Sequence, residues 1–489
     1  MKKYIVIAVV LALLVPSLAM AATEFSLGGF IKLDAMWDSN QGVGKNLNGV
    51  PARDNDGSNN HGRLKFTAQG SRFNFTIKGP QLWGAQVTGF LEMDFDAAEN
   101  GLTGSSAAGT QGIAFGGASK SYTPRVRHAM FRFSWPTSEL LLGQYFSMFS
   151  EYYVETAEDG PFQLTGTPTA RLPQIRFTQK FLGDWTVAGL IGDPNQVNVF
   201  GGATGTYNAA INNGQAAETP QVQGKVTYEH DWWGKAAYYG VPKPFTAQIV
   251  GGWQRNVNRN QTLAMSTLGT NINGIAGVTE NALSGTTGFN STQNQYVNPW
   301  MVMGSLFIPV IPTSSANLAG TAHILTNWWI GQGVEAFGFT GVASNLYKFN
   351  NNQFGNRLYD AYLLKKFGGM VEGQYYFNNQ WFLNAAYGIS KVMQVNRSRY
   401  LFGSGIFAAN NMEWGMGDNA QTIQQAAVTL WYRPIQAIKF GLQYEYARAT
   451  YYEYILPANA ATTQGAANTV NRSHFGNDHR VEFVGFFYF

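Results

Sequence analysis

Four carboxylates fall close together in this 489-residue chain: Glu151, Glu155, Glu158 and Asp159. They sit in the stretch 149–172, among tyrosines and phenylalanines that can anchor it. Carboxylates without a nucleophile beside them do electrostatics: they attract cations and set a local field. Basic side chains that can complete this field flank the stretch, Arg132 before it and Arg176 and Lys180 after it. Lys32 and Arg72 lie near the start of the chain. An acidic loop facing a basic wall across a narrow passage selects ions and orients polar solutes. The plainer reading is an external loop whose acids solvate it or bind divalent ions. The constriction is the expectation carried forward.

Bond-making chemistry finds little support. The histidines are His61, His128, His230, His323, His474 and His479. Only His128 is expected to face an interior; the others fall in predicted loops, turns or strand ends. His474 and His479 are poorly spaced for one metal site. There is no Gly-x-Ser-x-Gly elbow and no Walker loop. With no cysteine there is no Cys-x-x-Cys-His haem motif. No catalytic residue, metal site or cofactor is expected, and the chain is not read as an enzyme. A net charge of +4 excludes a strongly basic nucleic-acid binder.

A constriction needs a frame, and the alternation of residues supplies one. Phe25, Leu27, Gly29, Ile31, Leu33, Ala35 and Trp37 are interleaved with Lys32, Asp34 and Asp38. Phe73, Phe75 and Ile77 alternate with Arg72, Asn74, Thr76 and Lys78. Period-2 segments of about 10 residues have the length of a tilted membrane strand. The reading is all-β: an antiparallel transmembrane barrel of sixteen strands, give or take two. Strands are expected near 25–38, 72–78, 85–96, 124–135, 138–148, 173–182, 184–193 and 219–230. The rest lie near 244–255, 297–309, 324–340, 369–378, 381–392, 424–433, 437–451 and 478–489. Trp328-Trp329 breaks the alternation of strand 324–340. Long Gly/Asn/Thr/Ala loops alternate with short turns, although 231–243 and 310–323 exceed a tight turn. Charges facing water rather than lipid follow by parity, including Lys225, Lys439 and Arg480 beside the basic residues above.

Both ends of the chain agree. Val481, Phe483, Gly485, Phe487 and Phe489 present one apolar face. Such an edge invites aggregation in water, whereas a closed barrel in lipid has no edge. Phe487 and Phe489 are therefore expected to serve strand closure and assembly, with the last strand pairing to Phe25–Asp38. Residues 1–21 read as a cleaved signal peptide, with Lys2 and Lys3, a short apolar run and Ala19-Met20-Ala21. That leaves 22–489 as a single barrel. Aromatic residues at 15% suit interfacial girdles, and charged residues at 13% fall well below the globular average of ~25%.

The signal, the sixteen-strand rhythm, the terminal Phe489 and the acidic third loop resemble trimeric bacterial outer-membrane porins. The segment Phe25–Asp38 is also similar to the first strand of DcaP-type porins. The resemblance implies passive diffusion of small hydrophilic solutes, a third loop forming the eyelet, and homotrimers in the outer membrane of a Gram-negative bacterium. By position, Glu151, Glu155, Glu158 and Asp159 match the acidic eyelet loop, and Arg132 and Arg176 match the basic wall. Two features depart from the pattern. The loop lacks the Pro-Glu-Phe-Gly-Gly signature of enterobacterial general porins, and no coiled-coil extension precedes the first strand.

The expectation is an outer-membrane porin. Its partners are outer-membrane lipid, two further copies of the chain, the barrel-assembly machinery and small hydrophilic solutes. Two other classes remain open. One is a substrate-specific channel for organic acids, sugars or phosphate. The other is a sheath holding a partner such as an electron-transfer cytochrome, which calls for a wide lumen and no inward loop.

Overall fold

The computed structural model describes residues 23–40, 49–55, 60–97, 99–100, 121–158, 160, 162–197, 214–258, 261–263, 289–291, 295–339, 342, 345–349, 359–393, 420–451 and 473–489. The expected signal peptide and Asp159 lie outside them. Sixteen antiparallel strands close into one barrel. They are β1 (Glu24–Asp38), β2 (Arg63–Thr67 and Arg72–Leu82), β3 (Ala85–Asp94), β4 (Arg125–Ser134), β5 (Ser138–Phe146) and β6 (Arg171–Phe181). Next come β7 (Trp185–Gly192), β8 (Gln221–His230), β9 (Phe245–Trp253), β10 (Trp300–Ile311) and β11 (Ala322–Gln332). The last five are β12 (Lys365–Tyr376), β13 (Trp381–Val392), β14 (Ala420–Ile435), β15 (Ile438–Tyr451) and β16 (Phe475–Tyr488).

Each strand pairs with its sequence neighbours, and β1 closes on β16. The seam runs from Phe30 opposite Tyr488 to Asp38 opposite Arg480. Gly29 and Phe489 extend it by exchanging two backbone hydrogen bonds of 3.2 Å. At Gly29 φ is +150°, and a Cβ there would collide with the Arg72 carbonyl of β2. Glycine is required at this crossing.

The pleat sorts side chains by medium. On β16 Val481, Phe483 and Phe487 face outward, while Asp478, Arg480 and Glu482 are buried inside. On β12 Phe367, Val371 and Tyr375 face out, and Lys366, Glu372 and Gln374 face in. Apolar-out and polar-in is the arrangement of a barrel in lipid, where every backbone group must be paired within the sheet. At the short-turn end, Trp83, Phe133 and Trp135 stack with centroids 5.8 and 6.1 Å apart. Trp381 stacks on Tyr432 at 4.4 Å at the same end, the pattern of an interfacial aromatic girdle.

Some boundaries differ from expectation. β2 begins at Arg63, runs beside β1, and breaks at 68–71 before resuming at Arg72. The strand expected over 324–340 stops at Gln332. Gly333 then turns left-handed at φ 58°, and a 3₁₀ turn, Val334–Phe337, folds inward. There the Phe337 ring meets Phe149 at 5.3 Å. Trp328-Trp329 does not break the pleat. Trp328 faces out, 51% exposed, and Trp329 faces in at 4%. An inward tryptophan is tolerated because its Nε1 donates to the Thr165 carbonyl at 2.6 Å.

Candidate functional site

The connection between β5 and β6 turns into the barrel. Its neck is closed by Ser147 N donating to the Ala170 carbonyl (3.0 Å) and Ala170 N donating to Ser150 Oγ (3.0 Å). Gln223 of β8 receives Met148 N at 2.8 Å. The segment then crosses to the inner face of β11–β16, where inward side chains take up its backbone groups. Asn327 donates to the Tyr152 carbonyl (3.1 Å), and Trp431 Nε1 donates to the Glu155 carbonyl (3.0 Å). Ala157 N donates to Gln443 (2.8 Å), and the Lys32 ammonium donates to the Ala157 carbonyl (2.8 Å). Further on, Phe162 accepts Gly166 N (2.9 Å) and Thr167 N (3.0 Å) in a tight turn, and Thr165 Oγ1 donates to Gln425 (2.9 Å). Val154, Ala157, Phe162 and Leu164 are fully buried. A crossing chain has no strand partner, so wall side chains must satisfy its polar groups.

The acids of this loop do not share one basic wall. Glu151 meets Lys225 of β8 and comes within 4.0 Å of Arg176 on β6. Glu155 pairs with Lys439 of β15 at 2.9 Å and accepts from Gln374 at 3.0 Å. Glu158 lies 3.7 Å from Arg480 of β16. On this loop residue, burial pushes the carboxyl well above the ordinary range. Neighbouring Glu445 adds to the rise, and Arg480 opposes it.

The expected basic wall is likewise divided. Lys32 faces in and joins Asp34 at 2.7 Å as well as the loop carbonyl. Arg176 reaches Glu151 as expected. Arg132 faces in, but its carboxylate partner is Glu139 on β5 (3.6 Å), not the loop. Arg72 lies over the inward ring of Phe30 at 5.3 Å. Lys180 shares the parity of Arg176, yet it is exposed at the short-turn end of β6, clear of the loop. Phe487 faces outward opposite Ile31, and Phe489 caps the β1–β16 seam. Lys225, Lys439 and Arg480 follow from parity as inward residues; their loop partners do not.

Two inward arginines elude a period-2 reading. Glu92 pairs with His128 but Met93 pairs with Val126, so Arg127 is a bulge residue on β4. Arg127 and His128 are then both buried inside, and Arg125 changes face with them. Asp94 accepts from Arg125 (2.7 Å) and Arg127 (2.6 Å), and Glu92 accepts from Arg127 at 2.7 Å. His128 packs between Tyr145 and Phe146 at 4.6 and 4.5 Å. Arg171 lies over Phe146 at 5.0 Å. The inner face of β2–β6, which meets the loop only near its start at Glu151 and Tyr153, thus carries Arg72, Arg125, Arg127, Arg132, Arg171 and Arg176. Opposing them are Glu92, Asp94, Glu139 and, from the neighbouring turn, Asp96.

No protein-family model matches this sequence, and no curated protein matches it. Solved structures do. The outer membrane channel DcaP of Acinetobacter baumannii superposes with a TM-score of 0.59 at 16% identity, covering 96% of this chain and 99% of that one. The fold is porin-like. The trimer form of Vibrio cholerae OmpT gives 0.48 at 10% identity, covering 96% of this chain and 100% of that one. The anion-selective porin from Comamonas acidovorans gives 0.48 at 8% identity with the same coverage of both chains. At these identities the likeness is one of fold. The porin-like barrel places a wall-docked loop across its interior.

Proposed function

We propose that this protein is an outer-membrane porin. Small hydrophilic solutes and ions diffuse down their gradients through its barrel, past a constriction formed by the β5–β6 loop. The observation that carries this reading is the loop itself, stapled across a polar interior by inward side chains of β1 and β11–β16. A freely moving external loop would have no need of those bonds. A sheath for a cytochrome calls for an open lumen, which this loop occupies.

The charge layout adds a direction. Glu155 and Glu158 sit beside Lys439 and Arg480, so their charges are largely spent on the wall. The arginine-rich face of β2–β6 then gives the passage a modest preference for anions. A binding ladder for organic acids, sugars or phosphate is a narrower version of the same channel and would show current block by the bound solute. The homotrimer, the outer-membrane location, insertion by the barrel-assembly machinery and the signal peptide 1–21 belong to the same proposal. Purified protein in a planar lipid bilayer should produce stepwise, ohmic conductance increments. Folded protein giving no increments would refute the reading.

A further inference from the structure

We infer that the periplasmic hairpin between β8 and β9 holds the constriction in place from below, with Tyr238 and Tyr239 as positioning residues for the β5–β6 loop. This rests on the reading of that loop as the constriction. Apart from 312–321, the other connections at this end are tight turns such as 83–84 and 436–437. The 231–244 connection instead forms a small ladder, Ala236–Tyr238 against Val241–Lys243. It does not hang free: Ala236 and Ala237 are buried inside the barrel. Its base is fixed by Lys235, which exchanges two backbone hydrogen bonds with Thr313 (2.9 and 2.7 Å). Trp233 Nε1 also donates to the Pro309 carbonyl at 2.7 Å.

The tip meets the loop. Tyr153 N donates to Tyr238 Oη at 3.0 Å, and Tyr239 Oη donates to the Val154 carbonyl at 2.9 Å. The Lys243 ammonium lies 5.2 Å from the centre of the Tyr152 ring. Three consecutive loop residues are therefore held from the periplasmic side at the point where the loop leaves its neck. Tyr239 pays with a left-handed φ of 48°, followed by Gly240 at 75°. Two left-handed residues make the turn suited to a two-residue hairpin, where Asn-Gly is the easy choice. A tyrosine in the first position keeps a hydroxyl on Val154 that asparagine could not place there. The wall bonds of β11–β16 fix the far part of the loop, and the hairpin fixes its near part.

The test is the variant Tyr238→Phe/Tyr239→Phe, which keeps both rings and removes both hydroxyls. Hydrogen exchange of the 150–158 segment, in detergent micelles, should speed up roughly tenfold, the effect of losing about one hydrogen bond's protection. Single-channel traces should gain flicker between substates. Tyr375→Phe, altering a lipid-facing tyrosine, should change neither. Heat-modifiable migration on gels checks that each barrel is folded. If the double variant fails to insert, Tyr239→Phe alone carries the same comparison at Val154. Unchanged exchange and unchanged current noise in a folded variant would overturn the inference. A wild-type barrel that never conducts would bring down the porin reading instead, and the exchange result would stand apart from it.

Discussion

Glu155 is the side chain on which the loop's seat depends most. Its carboxylate holds Lys439 and Gln374, and its carbonyl receives Trp431. Glu155→Gln leaves a largely buried ammonium without its counter-charge. It should cost roughly 2 kcal/mol, the scale of a hydrogen bond to a charged group. Thermal unfolding in micelles measures this, and an unshifted midpoint would show that the pair does not anchor the loop. Glu151 is more exposed and sits on the side facing the arginines. Glu151→Gln should move the reversal potential in a salt gradient toward anions with little change in unfolding; no movement would place Glu151 off the ion path. Glu158 gives a pH signature. Its raised pKa means that it takes up its proton at a higher pH than an ordinary carboxylate as pH falls. Losing a negative charge beside Arg480 should then increase anion preference on acidification. Glu158→Gln should flatten that step in a reversal-potential titration, and a step that survives in the variant must come from another group.

At the scale of elements, the seam is the most exacting contact. Gly29 crosses β2 where no Cβ fits, and Phe489 bonds to it across the closure. Gly29→Val, or deletion of Phe489, should lower the yield of heat-modifiable, inserted barrel; normal yield from both would mean the seam tolerates distortion. Most of this sheet was legible in the sequence, because one rule, apolar out and polar in, governs every strand. Val481, Phe483 and Phe487 announce β16, and the pairing of β16 with β1 follows from closure. What alternation cannot register is a break in its own period. Arg127 is such a break: one bulge residue moved Arg125 and Arg127 to the inner face. An inward loop was the expectation, but its seat on the wall was illegible for a different reason. Phe149 to Leu172 reads as acidic and aromatic, but its seat depends on Gln443, Trp431 and Lys32, far away in sequence. The same holds for Tyr238 and Tyr239, whose partners lie on another loop. Lys180 shows the converse limit, since parity fixes a face but not a height along the barrel.

For the whole molecule, the inward segments gather on one part of the wall. The β5–β6 loop, the 3₁₀ turn after β11 and the β8–β9 hairpin pack against β9–β16, and on the porin reading the charged face of β2–β6 lines the passage. On that reading the aperture is a property of how these segments dock, not of the sixteen-strand cylinder, since a barrel of that size can carry a water-filled channel. If the porin reading holds, the docked β5–β6 loop sets the size of that passage. The most direct measurement is single-channel conductance of the wild-type barrel against one in which 152–167 is replaced by a short Gly-Ser linker joining the intact neck. The expected result is a folded barrel with a several-fold larger, less noisy unitary conductance and weaker discrimination between ions. A folded, conducting variant with the wild-type unitary conductance would contradict it.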